Sequence, residues 1–427
     1  MTVSAIILAA GKGTRMRSDR AKVLHEVCGR PMLGYVLDAA FAAGASPIAV
    51  VVGHQTEAVK KAFPDAQVAW ATQEPQLGTG HAVRMAQASV PAKGDLLVLC
   101  GDAPLVRAET LSDLLEHHRD TEAAATVLTA EVDDPTGYGR VITADDGSVL
   151  DMVEHLDATD EQLEVCEINS SIYAFRAEDL FSALAEVKND NAKGEFYLPD
   201  AIKVLLAREA YVEAYEADDA NEVLGINTRG ELAYAASVMR RRILHGHMAN
   251  GVTVLEPSLT YVEWGVEIGE DTEILPFSVL RRGAVVGRHC EVGPFAHLRA
   301  GTVMEDGSEV GNFVEVKKTR IGARTKAKHL TYLGDAVIGA DANIGAGTIT
   351  ANYDGKAKHE TRIGDGAFIG SGTVLVAPVS IGARATTGAG AIVTRGHDVP
   401  DDAVVVGVPA RPLPKPGKAG LPEGDAR

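Results

Sequence analysis

A glycine-rich segment near the start of the chain carries the residue types that bind phosphate. It has the sequence LAAGKGTRMRSDRAK over residues 8–22 and directly follows an apolar run that is typical of a buried strand. Glycines such as Gly11 let the backbone come close to an anion. Backbone N–H groups then act as donors, and Lys12, Arg15 and Lys22 add positive charge. We therefore predict a phosphate-binding loop that includes Arg15 and Lys22.

Two common phosphate motifs do not fit this segment. In a dinucleotide-binding G-x-G-x-x-G motif starting at Gly11, the third glycine would fall at Met16. A Walker loop ends in Gly-Lys-Ser/Thr, and that triplet does not occur at the required offset. The segment therefore indicates a phosphate loop of another kind.

One acidic residue is the candidate metal ligand. Asp102 lies in LCGDAPL, residues 99–105, just past an apolar run that indicates a strand. Open α/β sheets bind ligands at the C-terminal ends of their strands, and one carboxylate together with nucleotide phosphates often holds Mg²⁺. A Gly-Asp pair alone is more often only a turn. Beside a phosphate loop, it favours a Mg²⁺ site at Asp102.

The first half of the chain alternates strand and helix patterns. Apolar runs at 3–9, 48–52 and 95–99 indicate strands, whereas residues 31–43 and 79–88 indicate helices. This alternation predicts a Rossmann-like α/β domain with helices on both faces of its sheet. Because helical patterns become rarer after about residue 121, we expect a mixed sheet. We assign residues 1–228 to this domain and residues 229–250 to a linker helix.

The second half follows a six-residue period. Aliphatic residues occupy every sixth position from Val262 to Val316, and Ile-Gly pairs return between residues 338 and 382. Such hexapeptide repeats are typical of a parallel β-helix, in which three repeats form one triangular coil. The polar segment ANYDGKAKHE, residues 351–360, interrupts the repeat, and we expect it to serve binding. We predict a β-helix over residues 251–412 and a disordered tail over residues 413–427.

Composition excludes several classes of protein. The chain has 427 residues and a net charge of −18, which argues against nucleic acid as the main partner because phosphate backbones attract basic surfaces. Four cysteines without paired metal-ligand spacing indicate reduced thiols. Since no signal peptide or membrane-spanning run is visible, we expect a soluble cytoplasmic protein that does not bind membranes.

Several further segments support a resemblance to known enzymes. QLGTGHA (76–82), GDAPL (101–105), DDPTGYGR (133–140), VEH (153–155), EIN (167–169) and GIN (225–227) are similar to the sugar-phosphate nucleotidyltransferases. The repeats that contain HLTYLGDAVIG (329–339) resemble left-handed β-helix acyltransferases. In this order, over nearly the whole chain, they resemble the bifunctional N-acetylglucosamine-1-phosphate uridyltransferase/glucosamine-1-phosphate acetyltransferases.

The resemblance implies two reactions that make UDP-N-acetylglucosamine, a precursor of peptidoglycan and lipopolysaccharide. The C-terminal left-handed parallel β-helix would acetylate glucosamine-1-phosphate with acetyl-CoA. The N-terminal domain would then transfer uridylyl from UTP to N-acetylglucosamine-1-phosphate and release pyrophosphate. The resemblance further implies Mg²⁺ as cofactor and a homotrimer with active sites between its subunits.

In the N-terminal domain, the resemblance assigns a role to each of several residues. Phosphate binding falls to Leu8, Ala9, Ala10, Gly11 and Lys22, uracil recognition to Gln73, Gly78 and Thr79, sugar binding to Gly139, Glu154 and Asn169, and Mg²⁺ to Asp102 and Asn227.

In the C-terminal domain, an amine must lose a proton before it attacks acetyl-CoA, and histidine is suited to accept that proton near neutral pH. The resemblance assigns this general base to His329. It assigns sugar-phosphate binding to Arg299, Lys317, Tyr332 and Asn343, and acetyl-CoA binding to Ala346, Asn352, Tyr353, Ser371 and Ala389. We expect the other histidines of the repeat, His289, His297 and His359, to be structural or surface residues.

The chain departs from the family pattern at four places. Ala21 replaces a common proline, which could loosen the loop, and Ser171 replaces a common glycine, which could narrow the sugar site. Gly407 stands where the family often has an arginine at the coenzyme site, with Arg411 close by. The repeat before Arg299 is about two coils shorter than in the best-known members.

Three alternatives remain open at this point. The chain could be a single-activity sugar-1-phosphate nucleotidyltransferase whose β-helix is structural or regulatory. It could be a scaffold whose β-helix serves only to assemble a trimer. A zinc-dependent β-helix enzyme would use several histidines as ligands, although the histidine spacing gives no reason to prefer it.

Overall fold

The chain folds into two compact units, Met1–Met239 and Arg240–Arg427. The structure is a computed structural model that describes residues 2–191 and 194–413. Apart from Leu413, the predicted tail at 413–427 lies outside the described residues. No helix among the described residues is long and apolar enough to cross a membrane.

The first unit is built on a nine-stranded sheet with helices on both sides. Its strands are β1 Val3–Ala9, β2 Glu26–Val27, β3 Arg30–Pro31, β4 Ile48–Val52, β5 Ala69–Thr72, β6 Asp95–Cys100, β7 Ala125–Glu131, β8 Arg140–Thr143, β9 Val149–Val153, β10 Glu167–Arg176 and β11 Val212–Glu216, of which β2 and β3 pair separately. Its helices are α1 Met32–Ala42, α2 Thr56–Ala62, α3 Thr79–Ala86, α4 Ala108–Asp120, α5 Asp160–Leu163, α6 Ala177–Leu184 and α7 Pro199–Ala207, and α8 spans Arg229–Ala249. Short 3-10 helices occur at Thr14–Met16, Lys22–Leu24, Gln87–Ser89, Ala220–Val223 and Pro257–Leu259.

The predicted mixed sheet is confirmed. Its strand order is β11-β7-β10-β6-β1-β4-β5, and β8 joins β10 and β9 at one side. Strands β6, β1, β4 and β5 run parallel, whereas β10 is antiparallel to both of its neighbours, β6 and β7. Strands β8 and β9 also pair antiparallel and follow one another without a helix, as is possible because only a parallel return needs a crossover.

Both faces of the sheet are buried, which explains why its central strands are continuous apolar runs. One face packs under helices α1 and α4, through residues such as Leu33 and Leu111. The other face packs under α3, α6 and α7, through residues such as Val83 and Ile202. Side chains of β1 alternate between the two cores, so Ile7 belongs to the first and Ile6 to the second.

The second unit is a parallel β-helix of the left-handed, hexapeptide-repeat type, as predicted. Its strands form three stacked sheets of ten, eight and seven strands, called here the first, second and third sheet. In chain order they are β12 Thr253–Val254, β13 Tyr261–Val262, β14 Glu267–Ile268, β15 Glu273–Ile274, β16 Val279–Leu280, β17 Val285–Val286, β18 Glu291–Val292, β19 His297–Leu298, β20 Val303–Met304, β21 Glu309–Asn312, β22 Glu315–Lys317, β23 Arg320–Ile321, β24 Lys326–His329, β25 Tyr332–Gly334, β26 Ala336–Ile338, β27 Asn343–Ile344, β28 Ile349–Ala351, β29 Thr361–Ile363, β30 Phe368–Ile369, β31 Val374–Val376, β32 Val379–Ile381, β33 Thr386–Thr387, β34 Ile392–Val393, β35 Val404–Val406 and β36 Arg411–Pro412.

The coils of the β-helix continue past Val316, where the strict six-residue spacing of inward residues is interrupted. After Val316 the next inward residue is Ile321, five positions on, and a second five-residue step joins Leu333 to Ile338. All four side chains are buried in one core. Two shortened turns therefore conceal the repeat from a fixed period, although the coils stack without a break.

The predicted insertion forms a small hairpin on the second unit. Tyr353 and Lys358 make an isolated antiparallel bridge, and Asp354 Oδ1 accepts the backbone N–H groups of Lys356 and Ala357 at 2.9 and 2.8 Å. The other oxygen of Asp354 contacts His359 Nε2 at 2.7 Å. These contacts lower the pKa of Asp354, the Ala357 backbone N–H most of all. The hairpin is thus held by an ionised aspartate.

A buried histidine makes the stability of the first unit depend on pH. His118 is 2% exposed, its Nδ1 lies 2.8 Å from Thr126 Oγ1, and burial lowers its pKa from 6.5 to about 4. Between these pH values the unfolded chain takes up a proton that the native state does not. Stability from this group is complete above pH 6.5 and is lost as the pH falls toward 4.

We predict that the free energy of unfolding decreases over this interval by up to about 3 kcal/mol on account of His118. Denaturant unfolding of the wild type and His118→Gln, in steps from pH 7 to pH 4, measures the two slopes. The variant should show the shallower slope. Replacing the exposed His54 by Gln should leave the wild-type slope unchanged. Equal slopes for His118→Gln and wild type would contradict the assignment.

Candidate functional sites

A cleft of about 470 Å³ opens in the first unit at the C-terminal ends of β1 and β6. Parallel pairing places Leu8 opposite Cys100, so the segments that follow the two strands emerge side by side. Most of the residues predicted for the nucleotidyl site line this cleft, namely Leu8, Ala9, Ala10, Gly11, Arg15, Lys22, Gln73, Gly78, Thr79, Asp102 and Asn227.

The loop after β1 is held in a tight conformation by a left-handed glycine. Gly13 has φ +61°, and a Cβ there would lie 2.7 Å from the Cβ of Lys22. The loop therefore folds back closely on the residue that carries its main cation. Ala21, where a proline was expected, has φ −52° and donates its N–H to Gln55 Oε1 at 2.9 Å. Proline could not make that hydrogen bond.

The predicted metal ligands and the loop cations meet at one point. Lys22 Nζ contacts Asp102 Oδ2 in an ion pair and lies 2.7 Å from Asn227 Oδ1. Arg15 donates to the same amide oxygen at 2.8 Å. One carboxylate and one amide oxygen are hard donors that suit a divalent cation when phosphates complete its shell. No cluster of three or more His, Cys, Asp or Glu residues suited to a metal occurs in the described part of the chain.

Asn227 is positioned by the start of helix α8. Glu231 Oε2 accepts the backbone N–H of Asn227 and that of Thr228, the latter at 3.0 Å. The Thr228 hydroxyl in return accepts the N–H of Glu231 at 3.2 Å. This reciprocal pair is a capping box, and it sets the backbone from which the Asn227 side chain projects.

The three residues predicted to bind the sugar lie outside the lining of the cleft. They adjoin one another, since Asn169 donates its backbone N–H to Gly139 O at 2.9 Å, and both Asn169 and Glu154 influence the buried Tyr173 hydroxyl. Burial is the main cause that raises the pKa of Tyr173. Cys100, which lines the cleft, donates to Ser171 O at 3.5 Å and so links the two regions.

Ser171 sits at the bulge of β10 in a left-handed conformation, with φ +61°. Its backbone N–H donates to Asn169 Oδ1 at 2.9 Å and orients that side chain. The glycine expected here would adopt this φ without strain. Serine at this position therefore adds backbone strain. The contact to Asn169 does not depend on the serine side chain, because the main-chain N–H makes it.

Eight further residues line the cleft: Lys12, Gly13 and Thr14 belong to the predicted phosphate loop, and the other five were not predicted as contacts. Among these five, Gln76 contacts the phosphate loop directly, because its amide nitrogen donates to Ala10 O. The QLGTGHA motif contains this residue, so the sequence carried a signal for it. The full set is Lys12, Gly13, Thr14, Val23, Gln76, Ala82, Cys100 and Glu195.

In the second unit, one corner between the first and second sheets stacks residues from successive coils. Gly347 N–H donates to His329 O at 3.3 Å, Gly372 N–H to Ala346 O at 2.7 Å, and Gly390 N–H to Ser371 O at 2.8 Å. These equivalent bonds place His329, Ala346, Ser371 and Ala389 in one column, here called the His329 column. Successive members are one strand spacing apart, roughly 4.8 Å.

Gly407, where the family often has an arginine, and the nearby Arg411 both lie at the end of the His329 column. Thr387 pairs with Val405, which puts Gly407 in the coil after Ala389. Strand β36 runs antiparallel to β35 and sets Arg411 opposite Val406. Arg411 is exposed, and its backbone lies next to the coil that ends the His329 column.

A group of cations lies on the second sheet, toward its corner with the third. Arg299 and Lys317 follow equivalent inward residues of adjacent coils. The ammonium of Lys358, from the hairpin, lies beside that of Lys317 and lowers its pKa, with Arg299 adding to the effect. Lys358 was not among the predicted contacts, because nothing in its local sequence marks it. Such a cluster favours a doubly charged anion.

Other predicted acetyltransferase residues divide between these two places. Tyr332 is on the second sheet with the cations, and Asn352 contacts Asp335 beside them. Tyr353 is exposed in the hairpin. Asn343 lies on the first sheet, across the His329 column from Tyr332. In a single copy of the second unit, these residues therefore lie on two different sheets, on either side of the His329 column.

An exposed apolar ridge runs along the corner next to the His329 column. Phe277 stacks on Phe295 with ring centroids 4.6 Å apart, and Phe295 stacks on Phe313 at 5.1 Å. Leu330 extends the ridge beside His329 and is 64% exposed. Contiguous exposed apolar surface of this kind marks an interaction site.

Comparisons with known proteins find one family match in each of the two units. Residues 5–201 match the MobA-like NTP transferase domain family. Residues 265–300 and 360–395 match the bacterial transferase hexapeptide (six repeats) family.

The chain is also similar over most of its length to curated bifunctional proteins. The bifunctional protein GlmU of Pelobacter propionicus is 47% identical over 440 residues, which cover 95% of this chain and 95% of that protein. The proteins of the same name from Shouchella clausii and Bacillus subtilis are each 44% identical, over 436 and 437 residues, and each match covers 94% of this chain and 95% of the relative.

Proposed function

The chain belongs to the family of bifunctional GlmU proteins, enzymes of UDP-N-acetylglucosamine synthesis with a nucleotidyltransferase and an acetyltransferase domain, and from this premise we propose which residues perform each reaction. In the proposal, the cleft of the first unit transfers uridylyl from UTP to N-acetylglucosamine-1-phosphate. The His329 column and the neighbouring cations transfer acetyl from acetyl-CoA to glucosamine-1-phosphate. The observation that carries it is the convergence of Lys22, Asp102 and Asn227 in one cleft.

Uridylyl transfer depends on positioning the two substrates and compensating the charge of their phosphates, because the attacking phosphate oxygen is already an anion and needs no base. A phosphate oxygen of the sugar phosphate attacks the α-phosphorus of UTP, and pyrophosphate leaves as the new P–O bond forms. Lys22, Arg15 and the backbone N–H groups of the loop hold the nucleotide phosphates. Gly139, Glu154 and Asn169 hold the sugar at the edge of the cleft.

A divalent metal fits this site, and we propose Mg²⁺ held by Asp102 and Asn227. When bound, such an ion neutralises charge on the phosphates. Lys22 contacts both of these residues, so its ammonium is already directed at the place where phosphate charge would lie.

Acetyl transfer requires a neutral amine, and we assign the general base to His329. Its imidazole takes a proton from the amine of glucosamine-1-phosphate as the nitrogen attacks the thioester carbonyl. The C–S bond then breaks, and the sulfur of coenzyme A leaves with a proton. Backbone groups of Ala346, Ser371 and Ala389 lie along the same column, where an extended coenzyme would run.

The phosphate of this second sugar is assigned to the cation cluster. Arg299 and Lys317 were predicted for it, and Lys358 joins them through its contact with Lys317. Because neighbouring positive charge lowers the pKa of Lys317, an anion placed between the two lysines relieves their repulsion. Tyr332 lies on the same sheet.

We propose that three copies assemble to complete the acetyltransferase sites. Hexapeptide-repeat proteins are often trimeric, and Asn343 lies on the other side of the column from Tyr332. The Phe277–Leu330 ridge supports an interface next to His329, since burying stacked aromatic rings is favourable. We also place the protein in the cytoplasm, where UTP and acetyl-CoA are supplied.

The proposal is tested directly by following both reactions with purified protein. Glucosamine-1-phosphate, acetyl-CoA and Mg²⁺ should release free thiol, and addition of UTP should then release pyrophosphate. Pyrophosphate from N-acetylglucosamine-1-phosphate without any thiol release would mean that the β-helix is only an assembly module.

We predict that single substitutions separate the two activities. Asp102→Ala should abolish pyrophosphate release from UTP and supplied N-acetylglucosamine-1-phosphate and leave thiol release from acetyl-CoA and glucosamine-1-phosphate unchanged, whereas His329→Ala should do the reverse. The expected loss for His329→Ala is on the order of 10²–10⁴-fold in kcat, the usual contribution of a general base. If either substitution removes both activities from a folded protein, the division of the sites is wrong.

Lys358→Ala should weaken binding of glucosamine-1-phosphate. We expect its KM to rise by roughly 10- to 100-fold, since hydrogen bonds to charged groups contribute about 1.5–3 kcal/mol, while the KM for acetyl-CoA changes little. Lys356→Ala, in the same exposed hairpin, is the matched control and should behave as wild type. Equal effects of both substitutions would show that the hairpin acts only as a whole.

Phe295→Ser should weaken assembly. Removing the central ring of the ridge should shift light-scattering masses from trimer toward monomer at low protein concentration, and thiol release should fall with it. Pyrophosphate release should persist, because its residues lie within one chain. Leu150→Ser alters an exposed apolar residue of the first unit and serves as control. A stable Phe295→Ser trimer would contradict the proposed interface.

A further inference from the structure

The side-chain amide of Gln73 is oriented by two hydrogen-bond acceptors. Gln73 is 5% exposed and lines the nucleotide cleft. Its Nε2 donates to Gly78 O at 2.8 Å and lies 3.1 Å from His81 Nδ1. An amide nitrogen carries two hydrogens, so these two partners use its full donor capacity.

The chemistry of the partners fixes which end of the amide faces them. Gly78 O is a carbonyl and accepts only, so the nitrogen of Gln73 must point toward it. His81 Nδ1 accepts when the ring is neutral and its proton is on Nε2. Burial, with a contribution from Arg84, lowers the pKa of His81 and so favours the neutral ring. The oxygen of Gln73 is thereby turned away from both partners.

His81 is itself held in place by the surrounding fold. It lies in the first turn of α3, which begins at Thr79 after Gly78, a glycine with φ +104°. Gly80 N–H donates to Phe196 O at 2.8 Å, and Thr79 Oγ1 accepts the N–H of Leu198 at 2.9 Å. The His81 ring centroid lies 6.5 Å from that of Phe196. The start of α3 is thus tied to a second segment of chain, which limits movement of the imidazole.

We infer that His81 is a positioning residue which locks the Gln73 amide with Oε1 directed at the nucleobase, and that this orientation selects a base that donates a hydrogen bond from N3. Uracil and thymine have N–H at that position. Cytosine has a bare nitrogen that accepts, so two acceptors would face each other in its complex. The inference rests on the proposed use of this cleft for a pyrimidine nucleotide.

The selectivity for uracil over cytosine arises because N3 of cytosine, an acceptor, would face the Oε1 acceptor of Gln73 and leave both unpaired. A site whose buried polar groups pair with the right substrate rejects an analogue that leaves them unpaired. Without His81, one amide hydrogen of Gln73 loses its acceptor, and the opposite amide orientation becomes less unfavourable. That orientation would offer N–H to the base and suit cytosine.

The test is a double-mutant cycle on the full-length protein. Wild type, His81→Ala, Gln73→Ala and the double variant are compared by kcat/KM for UTP and for CTP, with N-acetylglucosamine-1-phosphate as acceptor. His81→Ala should reduce the ratio of UTP to CTP by about tenfold, the worth of one hydrogen bond. In the Gln73→Ala background, the same substitution should leave the ratio unchanged. Met85→Ala, an exposed position of the same helix, should match wild type.

A second variant and a binding measurement separate positioning from folding. His81→Gln provides a side-chain oxygen that accepts a hydrogen bond and should recover part of the selectivity, whereas a merely structural role would not respond to that change. Calorimetric binding of UMP and CMP should follow the same order as the kinetic ratios.

Equal losses from His81→Ala with and without Gln73 would overturn the inference, as would an unchanged ratio of UTP to CTP. Wild-type turnover of UTP reports on the proposed function by itself, so a failure there is distinguished from a failure of His81 to act through Gln73.

Discussion

Parallel strand pairing is the constraint on which both sites depend. In the first unit, the register of β1 with β6 sets Leu8 beside Cys100 and so brings the phosphate loop close to Asp102. In the second unit, inter-coil hydrogen bonds stack His329, Ala346 and Ser371, although 17 residues separate the first pair and 25 the second. The five-residue step from Leu333 to Ile338 shortens one coil, and the hairpin at residues 351–360 lengthens the next. Both changes lie at corners of the β-helix, and the His329 column continues past them. Chemistry is placed by backbone register, and loops are free to vary around it.

Charge is distributed so that an acidic protein can still bind anionic substrates. The net charge is −18, yet each proposed site concentrates cations at short range. In the cleft, Asp102 pairs with Lys22, while Lys12 and Arg15 add positive charge to the same lining. On the β-helix, Lys317 and Lys358 adjoin each other; Asp335 opposes their effect on the pKa of Lys317, and Glu315 pairs with the neighbouring Arg299 at 2.8 Å. Local potential, more than net charge, determines which small anions a surface attracts.

Much of the fold could be predicted from the spacing of apolar residues, because burial of one side of each element imposes that spacing directly. The apolar runs of β1, β4 and β6 and the six-residue repeat both record which side chains face a core. Two features escaped that reasoning. The five-residue steps at Ile321 and Ile338 break a fixed period without breaking the stack, and the antiparallel insertion of β10 between β6 and β7 depends on long-range pairing that a local pattern does not encode.

Prediction of the site residues from sequence is limited in the same way, because contacts between distant parts of the chain are not encoded in a local pattern. Residues within motifs, such as Lys22 and Asp102, were found from sequence, and the structure places them in contact. No role was predicted for Lys358, or for His81 although it lies in the QLGTGHA motif, because folding alone shows the neighbour that each contacts: Lys317 for Lys358, and the amide of Gln73 for His81. A motif identifies a residue whose own chemistry is needed. It does not identify a residue that sets the charge or orientation of another, and the proposed roles of Lys358 in phosphate binding and of His81 in base selection are both of that second kind.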